Sequence, residues 1–315
     1  MPEIFEYFQY GFIQRALICG TFIALLCSTL GVLLVLRRLS LIGDGLSHAA
    51  FGSVALGLLL GVYPLYFSIP VLMLCSLGIL KLTERARIYG DAAIGIVSSL
   101  GIAGGVVIVS SAGGFNVDLF SYLFGNILAI SRGEMYLSIS LSIIVLLVVV
   151  FFYNELFSIT FDEEFARVSG IRTGRINTLI VLLTAVTVVL TINVVGILLI
   201  SALLILPAVT AMQLSRSFRG TLLVAAWTSA VSVMGGIVLS LALNMPTGAT
   251  IVLTGFSLFC APWHTAGSSR NTGVVRTAPG RMDEKDDNGQ ISLPGTPQTS
   301  QESPPRFGGR RSAGV

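Results

Sequence analysis

The chain has 315 residues, of which 54% are hydrophobic and only 11% are charged, and its formal net charge is +3. A water-soluble domain typically carries about 25% charged residues, so the composition excludes an ordinary soluble enzyme. The small net charge also argues against nucleic-acid binding. Because apolar stretches long enough to cross a bilayer recur along the sequence, we predict an all-α, polytopic transmembrane helical bundle.

About nine membrane spans are predicted, in the order 12–36, 43–62, 64–82, 91–110, 135–153, 176–193, 195–213, 220–243 and 246–262. Residues 117–130 are apolar but short, and we expect an external half-helix or re-entrant element there, with a simple interfacial helix as the alternative. Residues 1–264 would form the membrane domain. Small and polar residues dominate 265–315, which predicts a disordered cytoplasmic tail. His264, at its start, is expected to have no role.

The positions of Lys and Arg predict the orientation of the chain in the membrane. Ten basic residues fall in four short loops on one side of the predicted spans, whereas the other side holds only Arg15 and Arg132. Cytoplasmic loops carry the excess of positive charge. The N-terminus is therefore predicted outside and the C-terminus inside.

Asp44 and His48 lie inside the second predicted span. Residues four apart share one face of a helix, and an ionisable side chain within the bilayer is by default a functional-site hypothesis. A carboxylate oxygen and an imidazole nitrogen on one face can together bind a divalent metal ion. The alternative is a hydrogen-bonded pair that orients a packing face.

A metal site at this helix would need donors from elsewhere. Zn²⁺ takes about four protein ligands, and a two-fold homodimer with this helix near its axis would supply a second Asp and a second His. Such a set suits Zn²⁺ or Mn²⁺. Because the ligands are few and neighbour Gly43 and Gly45, we expect a transit site that also releases its ion.

Catalytic and energy-supplying motifs are not found. Ser47 and His48 are adjacent, so on a helix they point about 100° apart and cannot form a nucleophile–base pair. The sequence has no Walker A motif. We therefore expect a non-enzymatic protein that, if it transports actively, takes its energy from a separate ATPase.

A short helix is predicted inside a cytoplasmic loop. Its residues are Phe161, Asp162, Glu163, Glu164, Phe165, Ala166, Arg167, Val168, Ser169 and Gly170. Thr160 and Glu163 have the spacing of a capping box, and Gly170 fits a C-terminal stop. Phe165, Ala166 and Val168 offer a small apolar face, so this helix is predicted to dock onto a partner such as an ATPase.

Pro207 lies within the seventh predicted span. A proline inside a helix removes one backbone hydrogen bond and kinks the axis. The carbonyl groups that it frees could face a cavity or accept from neighbouring hydroxyls. A purely structural proline is the alternative.

Four stretches of the chain, at 38–49, 161–171, 195–208 and 246–253, resemble the permease subunit of bacterial zinc/manganese ABC importers, in this order and with this spacing. The resemblance covers roughly residues 5–260 and leaves the tail after residue 264 unmatched. It implies a fold related to the permeases of cobalamin and siderophore importers, located in the bacterial cell membrane.

The resemblance also implies a mechanism and partners. The permease would be a homodimer with two cytoplasmic ABC ATPase subunits below it and an extracytoplasmic metal-binding protein above it. Asp44 and His48 would contact the transported ion, and residues 161–171 would form the coupling helix. No cofactor would be bound permanently; Zn²⁺ first, then Mn²⁺, would be the cargo. The alternatives are a permease for an iron chelate or cobalamin, and a membrane scaffold or sensor that moves no solute.

Overall fold

Helices are the only regular elements in the part of the chain that the structure describes. This computed structural model describes residues 10–86, 88–112, 125, 130–197 and 200–269. The helices in this part are α1 Gly11–Leu36, α2 Ile42–Leu59, α3 Pro64–Arg85, α4 Gly90–Ser111, α5 Arg132–Phe151, α6 Tyr153–Phe161, α7 Glu163–Val168, α8 Thr173–Val195, α9 Ile200–Leu214, α10 Phe218–Leu243 and α11 Thr247–Ser269. The predicted all-helical fold class is confirmed, and the chain has several helices able to cross a membrane.

The predicted number of nine spans is not confirmed. Among the described residues, seven helices (α1 to α5, α8 and α10) are long and apolar enough to cross a membrane. Helix α9 has 15 residues, or about 22 Å, which is shorter than the hydrocarbon core of about 30 Å. It begins at Ile200 and not at the predicted 195, since Gly196, at φ +87°, follows the last residue of α8. The apolar part of α11, Thr247–Ala261, is also shorter than a full span.

Some predicted features lie outside the described residues. The half-helix at 117–130 is one, apart from Gly125 and Ile130, and the tail from residue 270 onward is another. The backbone of α11 continues to Ser269. Pro207 lies inside α9 and is buried, and the kink at this residue stays a prediction.

Helix α1 is the central helix of the bundle, and it packs against α5, α9 and α10 as well as α8. Two polar contacts join it to its neighbours. The Cys27 Sγ and Thr191 Oγ1 atoms lie 3.1 Å apart, and the Ser229 hydroxyl donates to the Ala24 carbonyl at 2.9 Å. Small residues and interhelical hydrogen bonds are the usual means by which membrane helices associate.

Helix α2 packs against α4 with backbone touching backbone. A Cβ atom on Gly101 of α4 would lie 2.4 Å from the Cα atom of Ala49, and one on Gly52 would lie 2.6 Å from the Gly101 carbonyl oxygen. Neither helix could carry a larger residue at these positions without moving. Because α2 carries Asp44 and His48, this close contact fixes where the candidate site lies.

Candidate metal-path site and cytoplasmic helix

The turn between α1 and α2 is closed by backbone hydrogen bonds. The amide of Leu39 donates to the Leu34 carbonyl at 2.8 Å, and that of Arg38 donates to Val35 at 3.1 Å. Arg38 has φ +58°, the left-handed conformation that ends many helices and that glycine usually supplies. Helix α2 then begins, with Asp44 in its first turn, where the helix dipole favours a carboxylate.

The structure brings Asp44 and His48 together on one face of α2. The His48 Nε2 atom lies 3.7 Å from the Asp44 Oδ2 atom. The rest of α2 is largely buried, but 48% of the Asp44 side chain and 29% of the His48 side chain remain exposed. The chain thus leaves two potential metal donors accessible on a helix that is otherwise packed.

Ser201 of α9 also belongs to this site, and no local pattern in the sequence pointed to it. Its hydroxyl donates to the Asp44 Oδ1 atom at 3.0 Å. This contact fixes one carboxylate oxygen and leaves Oδ2 directed toward His48. The two residues are 157 positions apart, so only the packing of α9 against α2 reveals the contact.

The glycines beside Asp44 are packing positions. A Cβ atom on Gly43 would lie 2.5 Å from Cδ1 of Leu204, and one on Gly45 would lie 2.3 Å from Cγ2 of Ile94. Both residues are buried. They let α9 and α4 approach α2 on either side of the Asp44 side chain.

The chain alone does not complete a metal site within its described residues. No group of three or more His, Cys, Asp and Glu side chains lies close enough there to hold a metal ion. The pair contributes one carboxylate and one imidazole, so further donors would have to come from a second molecule, from water or from the ion's carrier.

The predicted cytoplasmic helix is divided into two elements. Thr160, the predicted N-cap, lies inside α6, and its hydroxyl donates to the Leu156 carbonyl. The true N-cap of α7 is Asp162, which has extended backbone angles and whose Oδ1 atom accepts from the Phe165 amide at 2.9 Å. The predicted start was therefore wrong, because Asp162 interrupts the helix.

The predicted end of this helix at Gly170 is confirmed. Gly170 has φ +87°. Its amide donates to the Arg167 carbonyl at 3.1 Å, and the Ile171 amide donates to the Ala166 carbonyl at 3.0 Å. These two bonds form a Schellman motif, which satisfies the last carbonyl groups of α7.

The exposed apolar surface of this region differs from the prediction. Phe165 is 66% exposed and Val168 is 88% exposed, but Ala166 is fully buried and is not part of the surface. Phe161 belongs to α6, where its ring packs edge-on against Phe218 with centroids 5.9 Å apart. Helix α7 therefore presents Phe165 and Val168 as its two large exposed apolar side chains.

A groove rich in arginine lies beside α7. It has a volume of about 640 Å³ and is lined by Arg167, Arg172 and Arg175 together with Ile171, Thr173, Gly174 and Thr178. The exposed apolar side chains of α7 lie between the carboxylates of Glu163 and Glu164 at its start and the arginines of this groove. Such a mixed surface suits a protein partner with complementary apolar and charged groups.

Comparison with known families and curated relatives identifies the class of this membrane protein. Residues 9–264 match the ABC 3 transport family. The chain is 32% identical over 251 residues to the manganese transport system membrane protein MntC of Halalkalibacterium halodurans, covering 80% of this chain and 86% of that protein. It is 35% identical over 246 residues to the high-affinity zinc uptake system membrane protein ZnuB of Haemophilus influenzae, covering 78% and 94%.

Solved structures agree with this assignment. PsaBC from Streptococcus pneumoniae in complex with Fab has a chain that matches with a TM-score of 0.75 and 30% identity, covering 83% of this chain and 95% of that one. An inward-facing putative metal-chelate type ABC transporter shares the fold, with a TM-score of 0.61 and 17% identity over 80% and 85% of the two chains. The molecule is a multi-helix membrane permease of the ABC-transporter class. It belongs to the ABC 3 transport family, and the family resemblance seen in the sequence is confirmed.

Proposed function

We propose that this permease carries divalent metal ions, Mn²⁺ or Zn²⁺, into the cell as part of an ATP-driven importer. The observation that carries the proposal is the Asp44–His48 pair, accessible on a largely buried membrane helix, with its carboxylate oriented by Ser201. Relatives whose names specify manganese and zinc transport support this cargo class. One further relative, at 36% identity, is called a probable iron transport system membrane protein.

A homodimer would complete the ion site. Two protomers related by a two-fold axis near α2 would contribute two carboxylates and two imidazoles. Carboxylates suit Mn²⁺ and imidazole suits Zn²⁺, so the set accommodates both ions. The Asp44 and His48 side chains are partly exposed, and no third His, Cys, Asp or Glu joins them among the described residues. This favours an ion that passes through over one that is held permanently.

Energy would come from a separate ATPase subunit that docks on α7. The exposed Phe165 and Val168 and the neighbouring arginine groove support this assignment. In the predicted orientation, with the N-terminus outside, this surface faces the cytoplasm. An extracytoplasmic metal-binding protein would deliver ions to the opposite face.

Uptake of radioactive Mn²⁺ and Zn²⁺ tests the proposal in cells that lack their own importers and express this chain with the ATPase that co-purifies with it. Asp44→Ala and His48→Ala should each lower uptake by about tenfold or more. The matched control is Asp91→Ala, which removes an exposed carboxylate from the first turn of another membrane helix. Undiminished uptake in both site variants, at wild-type protein levels, would refute the metal path. Uptake of only an iron chelate or cobalamin would support the alternative permease.

A further inference from the structure

A cluster of three polar side chains joins three elements at the end of the helical bundle that carries α7. Arg37 follows α1, Asn177 lies in α8, and Glu163 is the first residue of α7. The Arg37 Nη2 atom donates to Asn177 Oδ1 at 2.7 Å and lies 3.6 Å from Glu163 Oε2. The Asn177 Nδ2 atom donates to Glu163 Oε1 at 3.0 Å. The three contacts form a closed ring, named here the Arg37 cluster.

Burial makes this cluster hard to open. Only 10% of the Arg37 side chain is exposed, compared with 39% of Glu163. Burial lowers the pKa of Arg37 from its ordinary value, and the negative charge of Glu163 opposes that change. Removing the partner of a buried charge strongly destabilises the folded protein. If α7 moves, Arg37 will therefore tend to move with it.

Arg37 lies at the end of α1, one short turn before α2, the helix that carries the ion site. Its amide donates to the Leu33 carbonyl at 3.1 Å, so it caps the end of α1. The next residue, Arg38, holds the left-handed turn, and Asp44 follows seven positions after Arg37. A non-glycine residue in this conformation carries strain, and strained residues cluster at switch regions. The turn is short, and the amides of Arg37, Arg38 and Leu39 all donate to carbonyl groups of α1, so it transmits displacement with little slack.

We propose that the Arg37 cluster couples α7 to α2, so that movement of the docked ATPase reaches the Asp44–His48 pair through Glu163 and Arg37. This inference rests on the proposed function. Arg37, Glu163 and Asn177 act as positioning residues: they touch no ion, and they link the ATPase-facing helix to the ion-facing helix. Arg167, which lies 3.8 Å from Glu163, is on α7 itself and is 70% exposed, so it joins no second element.

A double variant can keep a negative partner for the Arg37 charge while removing the contact between Arg37 and α7. Glu163→Ala combined with Asn177→Asp places a carboxylate where Asn177 Oδ1 now accepts from Arg37, so the buried charge keeps a partner on α8. The link to α7 is lost. Glu163→Ala alone should lower Tm because Arg37 then lacks a counter-charge. Glu84→Ala, which removes an exposed carboxylate near the end of α3, is the matched control.

The complex of permease and ATPase is reconstituted in liposomes together with its delivery protein. The quantity measured is the number of Mn²⁺ or Zn²⁺ ions taken up per ATP hydrolysed. The double variant should keep Tm within about 2 °C of wild type and lose uptake per ATP by about threefold to tenfold. Glu84→Ala should keep the wild-type ratio. A wild-type ratio in the double variant would overturn the proposal, because a role limited to stabilising Arg37 predicts full rescue by Asn177→Asp.

Arg37→Met supplies a second test if the double variant is unstable. It keeps an apolar stem in the buried site and leaves Glu163 partly solvated beside Arg167, so folding should tolerate it. The same loss of uptake per ATP is expected, and a wild-type ratio again contradicts the coupling role.

Hydrogen exchange can be measured without metal transport, so it tests this inference separately from the proposed function. Hydrogen exchange at residues 39–48 should change in the wild-type complex when ATP binds, and the change should disappear in the double variant and in Arg37→Met. If the wild-type complex shows this change but moves no metal, the coupling inference stands and the proposed cargo is wrong. An equal change in wild type and variants overturns the coupling inference, whatever the cargo.

Discussion

Individual polar side chains decide what the second helix can do. Asp44 is held by a hydroxyl from α9, its other oxygen is near His48, and both side chains stay partly open. The sequence was sufficient to pair Asp44 with His48, because the helical repeat places residues four apart on one face. It could not reveal Ser201, since no local rule connects residues 157 positions apart.

Removal of the Ser201 hydroxyl tests whether the orientation of Asp44 matters. Groups that orient a metal ligand typically contribute about tenfold or more to affinity, and partial exposure of Asp44 reduces this. We expect Ser201→Ala to raise the metal concentration for half-maximal uptake by about threefold to tenfold, with unchanged protein levels. The control is Ser47→Ala, because that hydroxyl donates to the Asp44 backbone carbonyl and not to its carboxylate. If wild type and Ser201→Ala reached half-maximal uptake at the same metal concentration, the orienting role of Ser201 would be contradicted.

At the scale of helices, the sequence predicted where a helix lies better than the residues at which it begins and ends. The sequence predicted Thr160 as the cap of the cytoplasmic helix, but the structure places the cap at Asp162. Asp162 is the cap because its carboxylate reaches the Phe165 amide, while Phe161 packs on Phe218 and keeps α6 helical up to that point. Packing against another helix therefore overrode the local capping signal at Thr160.

The contact between α2 and α4 makes a prediction about stability. A methyl group at Gly101 would overlap the backbone of Ala49 and His48, and overpacking of this kind costs about 1–3 kcal/mol. We expect Gly101→Ala to lower the Tm of the purified permease by several degrees and to reduce uptake, because α2 must shift.

Gly104→Ala is the matched control for this substitution. It makes the same chemical change three residues along α4, where no atom lies within 4 Å of the added Cβ. Alanine is the better helix former by about 1 kcal/mol, so this variant should be as stable as wild type or more so. If both substitutions left Tm unchanged, the close packing of α2 and α4 would be disproved.

At the scale of the whole molecule, the sequence predicted the helical membrane architecture but not the number of full spans. Hydropathy reports how apolar a segment is, and α9 is apolar because other helices surround it: Ile200, Leu203, Leu204, Pro207, Ala208 and Ala211 are all buried. A helix enclosed by protein need not match the bilayer thickness. The Gly196 turn that shortens it has no hydropathy signal.

Mixed dimers test the proposed sharing of the ion path between two protomers. Wild type and Asp44→Ala are co-expressed in equal amounts at constant total protein. If each path needs both protomers, only wild-type pairs transport and uptake falls to about one quarter; independent protomers would retain about one half. A value near one half would argue against the shared site, and single-tag pull-down of the second protomer checks that mixed dimers form.

The absence of side chains between α2 and α4 at Gly52 and Gly101 limits how the transporter can open and close. The Phe51 ring lies beside Gly105, whereas only backbone atoms of Ala49 and His48 lie beside Gly101. Rotation of α2 about its own axis would bring side chains against Gly101, so we expect a gate formed by α2 turning alone to be disfavoured. We expect the two helices instead to tilt together as a pair. Each change between outward-open and inward-open states would then move the exposed face of α4 against its surroundings. Leu100 and Val107 on this face are about two-thirds exposed.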